Sequence, residues 1–403
     1  MPERLAVIND STRQQDVKRR QFLSSTQLNL TFNTRRWALE MNAEGRIQVM
    51  DIENDYRTMP LDTTFYENAN INYTALIVQP TITYKHRGLR GTLQMPLNVC
   101  HYFGTSVANR LFFSPNLSLN WDINSRWKIG AKMSINRQEP AVNDSHAMPI
   151  LVDYRTFEMS PINFYGSRSC QKMAYVSYAD YAHMLFVRAS VGYDTRYSNL
   201  SRTKSVDRHG MTHYSTVESD NNSHGIMALV TISKRLEWLK GTFNARCVLS
   251  QNTSSMYQNG INTEFKTGSL QTSASLNSNV WTWLDIAYRA QHSINALEIS
   301  AMKNRTKLLI QELELTLMPT DALNFSLSAE HYASYFNDGA RKHTFFADFS
   351  CLYKYHKTDF TLHLNNILNQ RYYNNATYNN LRSTYNQYAL RGRTLIIGVK
   401  MFF

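Results

Sequence analysis

Charge is scarce in this chain: Asp, Glu, Lys and Arg make up 18% of its 403 residues, against about 25% in ordinary soluble domains. With 43% hydrophobic and 12% aromatic residues, that balance excludes a disordered tail and a charged coiled coil. Long apolar runs are missing as well. A membrane-spanning helix needs about 18 consecutive apolar residues. The longest candidate, Thr74 to Pro80, stops far short, and the mean hydropathy is −0.43, so helical spans are excluded. No basic-then-apolar leader follows Met1-Pro2-Glu3-Arg4; a protein working outside the cytoplasm would therefore be missing its beginning. The four cysteines, Cys100, Cys170, Cys247 and Cys351, are too widely spaced for a CxxC metal knuckle or a tight disulfide framework, and read as packing residues. Neither a metal nor a cofactor is expected.

What is present is a period of two. After Pro115 one face reads Leu117, Leu119, Trp121, Ile123 and the other Asn116, Ser118, Asn120, Asp122. The alternation resumes with Trp127, Ile129, Ala131, Met133 and Ile135, which predicts a hairpin of long strands around Asn124 to Arg126. Marking every such run gives roughly 17 strands of about 9 to 16 residues, long enough for a tilted strand to cross a bilayer. Connections alternate in length. Short ones are expected near 34–36, 86–89, 124–126, 179–181, 235–238, 277–279, 319–322 and 355–357, with longer ones near 51–69, 102–111, 138–167, 198–222, 252–265, 293–305, 336–341 and 367–393.

Short turns at one end and long loops at the other are the pattern of an outer-membrane barrel. All six tryptophans, Trp37, Trp121, Trp127, Trp238, Trp281 and Trp283, sit near short turns, as a girdle at the periplasmic interface would. In hydrocarbon only a closed barrel satisfies strand edges, which leaves an apolar exterior and a polar lumen. Lys128, Lys132, Asn244, Arg246, Asp285, Arg289, Glu312, Glu314, Glu330, Asp348 and Lys400 are the inward candidates. The expected fold is thus all-β, a transmembrane antiparallel β-barrel.

The last strand carries Leu395, Ile397, Val399, Met401 and Phe403 on one face, and its aromatic terminus resembles the assembly signal of bacterial outer-membrane barrels. Just upstream, Asn366-Ile367-Leu368-Asn369-Gln370-Arg371-Tyr372 followed by Gly392-Arg393 resembles the N-L-F-N-K-x-Y … G-R ending of TonB-dependent outer-membrane receptors. Asn366, Tyr372, Gly392 and Arg393 carry that motif. Pro80 and Pro115, read as each introducing a strand, are similar to the barrels of Bacteroidetes-type receptors. The motif match covers about the last 45 residues, the strand spacing nearly the whole chain.

The resemblance implies nutrient import (a glycan, an iron chelate or a vitamin) through a 22-stranded barrel closed by an N-terminal plug. Nothing in residues 1–23 resembles the box that the TonB complex pulls, and no plug-sized segment precedes the strands. The expectation is therefore a carboxyl-terminal barrel portion lacking the plug: 1–23 unstructured or partial strand, 24–403 an incomplete barrel, and a fragment that does not itself transport. Implied partners are membrane lipid and lipopolysaccharide, the barrel-assembly machinery, TonB only through the missing plug, and a surface lipoprotein. Two alternatives stay open: a passive porin of 16 or 18 strands, and a barrel-embedded surface hydrolase, for which His209 and His213 in HGMTH are the nearest constellation.

The +12 charge, from 43 Lys plus Arg against 31 Asp plus Glu, is spread over turns, lumen and loops, so nucleic acid is not an expected partner. No enzyme activity is expected. Tyr372, Tyr373, Asn374, Asn375, Tyr378 and Tyr385, in a long Tyr- and Asn-rich loop, are the ligand-loop candidates, because tyrosine faces stack on sugars and asparagines bond hydroxyls.

Overall fold

The structure is a computed structural model that describes residues 12–59, 63–104, 108–138, 146–153, 156–160, 167–206, 211–258, 261–300, 302–335, 341–379 and 382–402. Its strands are β1 (Thr12–Asn33), β2 (Trp37–Met59), β3 (Thr63–His86), β4 (Leu89–Gln94), β5 (Leu97–Gly104), β6 (Ala108–Phe113), β7 (Asn116–Asp122) and β8 (Trp127–Gln138). Next come β9 (His146–Asp153), β10 (Thr156–Ser160), β11 (Ser167–Asp180), β12 (Leu185–Val206), β13 (Thr212–Leu236), β14 (Gly241–Gln258), β15 (Ile261–Trp281) and β16 (Leu284–Ile299). The chain finishes with β17 (Met302–Thr320), β18 (Leu323–Tyr335), β19 (Arg341–Tyr355), β20 (Thr358–Asn365), β21 (Tyr372–Asn379), β22 (Arg382–Ala389) and β23 (Thr394–Met401). Among the described residues the one helical piece is a 3-10 turn at Glu237–Leu239.

The fold is all-β, an up-and-down antiparallel sheet of the barrel type. Twenty-one strand segments share one sheet. Two passes are each split into halves, β4 with β5 and β6 with β7, and the β9–β10 hairpin lies within a connection, so seventeen strand passes remain among the described residues. β1 and β23 are the two edges, and no ladder joins them among the described residues.

Prolines explain the splits. Pro80 lies inside β3 rather than at its start, a correction to the sequence expectation, while Pro115 does precede β7. Pro80, Pro96 and Pro115 line up across neighbouring strands: Met95 N–H donates to Pro80 O (2.9 Å), Ser114 N–H to Pro96 O (3.0 Å) and Ile135 N–H to Pro115 O (2.9 Å). Each proline accepts but cannot donate, so the ladder creases along that line.

Two further corrections concern length. Regions expected as long loops at 51–69, 198–222 and 252–265 are largely strand, because hairpin pairing continues past the apolar band: Asp51 faces Asn70, Ser198 faces Asn221 and Tyr257 faces Asn262. Strands consequently reach 25 residues, as in β13. A ladder satisfies backbone groups wherever they lie, and polar residues alternate there without disturbing it. The turn expected at 277–279 falls instead at 282–283, where Trp281 and Trp283 stack at 5.3 Å. Within the segment expected as partial strand, β1 begins at Thr12.

Register sorts the side chains into two faces. From Trp37, Leu39 and Met41 opposite Tyr84, Ile82 and Pro80, through Ala131 opposite Ala174, to Phe360 opposite Val399, one face is apolar and exposed. Every inward candidate named from the sequence lies on the other face. The described tryptophans cluster at the short-turn end and are exposed. Cys170, Cys247 and Cys351 belong to the apolar face, while buried Cys100 joins Met50, Tyr73, Ala75, Tyr102 and Phe112 in a small core on the polar face of β2, β3, β5 and β6.

Candidate functional site

On the polar face near the short turns, charge is largely sorted by strand, with Asp285 on β16 the exception. Lys132 on β8, Arg188 on β12, Arg246 on β14 and Arg289 on β16 form a basic stretch, whereas Glu312 and Glu314 on β17, Glu330 on β18 and Asp348 on β19 form an acidic one. Lys128, on the basic side, is paired with Asp122 at 3.3 Å. The two stretches meet where Arg289 Nη1 donates to Glu312 Oε2 at 2.7 Å. Glu312 and Glu330 are direct cross-strand partners, an unfavourable arrangement for like charges. It is relieved by Arg289 on one carboxylate and by the Tyr332 hydroxyl, which donates to Glu330 Oε2 at 2.9 Å, on the other.

A cavity of about 580 Å³ opens on the basic stretch, lined by Arg188, Arg246 and Arg289 with Thr231, Ser273 and Gln291 among its polar walls. Arg188 and Arg246 both face Thr231 across their ladders, so the two guanidiniums project from every second strand. Arg188 is held by stacking: its Cζ lies 4.7 Å from the Tyr175 ring centroid. Tyr175 in turn lies over Gly130, where a Cβ would collide with the ring, and its hydroxyl donates to Asn120 Oδ1 at 2.5 Å. Arg246 has no acidic partner among the described residues. Such a wall can bind a carboxylate or phosphate through guanidinium forks and hydroxyls. Arg188 escaped the sequence reading, although its alternation with Leu185, Val187 and Ala189 carried the signal.

The receptor-like motif forms a knot at the base of the last connection. Asn366 Nδ2 donates to Gln370 O (2.8 Å) and Arg391 O (2.9 Å), its Oδ1 accepts from Gln370 N–H (2.8 Å), and its own N–H donates to Asp348 Oδ1 (2.6 Å). Asn369 Oδ1 accepts from Arg393 N–H at 3.2 Å, and a Cβ on Gly392 would approach that oxygen to 3.0 Å. Asn366 and Asn369 both hold φ of 53°, a left-handed conformation that asparagine tolerates better than most residues. Tyr372, the first residue of β21, joins the knot through its main-chain oxygen, which accepts from Gln370 Nε2 at 3.0 Å, while its ring is exposed.

β21 and β22 pair as a separate two-stranded sheet that rises from this knot. Tyr373, a ligand-loop candidate, packs edge-on against Tyr332 at 5.8 Å and lies 6.3 Å from Phe346, both on the polar face of β18 and β19. The hairpin therefore leans on the polar wall. Tyr372 is exposed; Asn374, Asn375, Tyr378 and Tyr385 lie on the paired strands, but their side chains fall outside the described residues, as does Phe403. Leu395, Ile397, Val399 and Met401 share the apolar face and are exposed.

For the hydrolase alternative, His213 stacks on Phe157 at 5.3 Å, and His209 lies outside the described residues. No group of three or more metal-ligating side chains occurs among the described residues.

No family model matches the chain, and no curated protein matches its sequence. Among solved structures, the ferric-catecholate import receptor Fiu of E. coli K12 is similar over 98% of this chain and 81% of its own, at 10% identity and a TM-score of 0.33. The FrpB iron transporter of Neisseria meningitidis is similar over 96% and 80%, at 10% identity and 0.32. A bacterial polysaccharide outer-membrane secretin is similar over 78% and 91%, at 12% identity and 0.29. Likenesses at those TM-scores carry no family assignment, and the all-β architecture stands on the strand register itself.

Proposed function

We propose that this chain is the barrel wall of an outer-membrane receptor-transporter for TonB-dependent uptake of a nutrient, a glycan, iron chelate or vitamin. The observation that carries the reading is the division of seventeen strand passes into a predominantly apolar, exposed face and a predominantly polar face that carries most of the charge near the short turns. A soluble sheet would cover that apolar face with a second layer, since contiguous exposed patches beyond a few hundred Å² are rare on soluble monomers; lipid is the natural cover. The tryptophans at the short-turn end suit the periplasmic interface, and the Asn366–Arg393 knot suits the receptor-like ending.

In this reading lipid and lipopolysaccharide surround the wall, the last strand engages the barrel-assembly machinery, and the TonB complex acts only through a plug. A surface lipoprotein would cap the long-connection end. The β1 and β23 edges leave backbone groups that hydrocarbon cannot satisfy, so further strands of the same barrel complete the ring. The polar wall then guides solute.

The test is a fluorophore attached at Leu119→Cys or at Asn120→Cys, in a chain whose native cysteines are replaced by serine, refolded into liposomes. A lipid-confined quencher should extinguish the first and an aqueous quencher the second. Equal quenching at both positions would discard the membrane reading.

A further inference from the structure

Across β16 to β19 a chain of polar side chains interrupts the apolar face. The Gln311 amide donates from Nε2 to the Tyr288 hydroxyl at 2.8 Å and turns its oxygen to His331 Nδ1 at 3.0 Å. That ring nitrogen therefore carries the proton, which leaves the lone pair of the neutral imidazole on Nε2. His343 lies next in the chain, and its Nδ1–H donates to His331 Nε2 at 3.1 Å. The two histidines are diagonal neighbours on one ladder, with His331 opposite Phe345 and His343 opposite Ala333.

Packing holds both rings in place. His331 stacks on Phe345 at 4.2 Å and on His343 at 5.4 Å, with planes only 6° and 8° apart, and Tyr335 meets His343 edge-on at 5.9 Å. Arg341, the next residue of this face along β19, lies over the Tyr335 ring at 5.8 Å. His331 is half-buried whereas His343 is exposed, so an ion in solution reaches the pair from the His343 side. Above Phe345 the apolar run of β19 gives way to His343 and Arg341.

We propose that His331 and His343 form a site for one divalent transition-metal ion of the class imidazole favours, Cu²⁺, Ni²⁺ or Zn²⁺. A metal–imidazole bond is about 2.0–2.1 Å long. Two such bonds to nitrogens 3.1 Å apart enclose about 100°, between the square-planar and tetrahedral angles. On binding, His343 moves its proton from Nδ1 to Nε2, and a modest rotation about Cβ–Cγ aims both facing lone pairs at the ion. No proton is released, and water fills the remaining positions. Gln311 is a positioning residue: its oxygen keeps the His331 proton on Nδ1, as the outer hydrogen-bond partner of a metal-bound imidazole does. The ion ties β18 to β19 near their outer ends, and the geometry of the pair is independent of what covers this face.

The test titrates the full chain, refolded in detergent micelles and stripped of metal by a chelator, with Cu²⁺ alone. Calorimetry reads the affinity, and electron paramagnetic resonance counts the nitrogen ligands. One equivalent should bind with two imidazole nitrogens in its spectrum. His331→Ala and His343→Ala should each weaken that equivalent at least about tenfold, and Gln311→Leu about tenfold with both nitrogens still counted. Gln311→Glu, which keeps an oxygen for the His331 proton, should restore the affinity. His363→Ala, on the polar face, should change nothing. Exposed His343 decides the matter even where His331→Ala fails to refold. Unchanged affinity in His343→Ala, or a bound ion with a single nitrogen ligand, would overturn the site; unchanged affinity in Gln311→Leu would overturn the positioning role.

Discussion

Arg393 donates both Nε and Nη2 to the main-chain oxygen of Ile367, at 2.9 and 2.6 Å, and so ties the start of the last crossing to the end of the one before it. With Asn366 bridging Gln370 and Arg391, this closes the base of a connection that would otherwise cost loop entropy at the edge of the sheet.

Replacing Asn366 by Ala removes three side-chain hydrogen bonds and leaves alanine at positive φ, so a loss of about 2 kcal/mol is expected. Arg393→Lys should cost about 1 kcal/mol, since a point charge cannot reproduce the fork. Urea unfolding of the detergent-refolded chain measures both; a change within error for Asn366→Ala would show that the knot is ornamental.

The Arg289–Glu312 pair should behave as a relief valve for Glu330. Arg289→Ala is expected to destabilise by about 1 kcal/mol, as Glu312 loses the cation that offsets its repulsion with the facing Glu330, and adding Glu312→Gln should restore stability. A double variant less stable than Arg289→Ala alone would contradict that account.

Neighbours on the last strand should answer oppositely to the same substitution. Ile397, 70% exposed on the apolar face, should tolerate Lys badly, at about 2–4 kcal/mol near the bilayer centre. Ile396 faces His363 on the polar face, and Ile396→Lys should assemble normally. Outer-membrane yield after expression with an export leader reads the difference, and similar yields for the two variants would mean that the faces are misassigned.

Tyr373 and Tyr372 should likewise separate. Tyr373→Ala removes the contacts to Tyr332 and Phe346, worth about 1 kcal/mol, and should speed proteolysis within β21–β22 several-fold. Tyr372→Ala should leave the cleavage rate unchanged while removing an exposed ring from the candidate ligand surface. Uptake by the complete protein then shows whether that ring matters: if uptake persists with normal surface display, Tyr372 is no contact.

The sequence alone determined which side chains share a face, because alternation is written residue by residue along each strand. It also placed the tryptophans at the short turns and exposed the Asn366–Arg393 motif, since both depend on near neighbours in the chain. Tertiary structure decided everything that depends on register. Arg137 stands opposite Arg168, Glu312 opposite Glu330, and the basic and acidic stretches divide the polar wall. Such pairs join strands whose ladder is set by pairing along their full length, and a shift of two residues would preserve every face while changing every partner. The lean of Tyr373 onto Tyr332 is of the same kind. So is the strand character of 51–69, where pairing across a hairpin, rather than any local preference, satisfies the backbone.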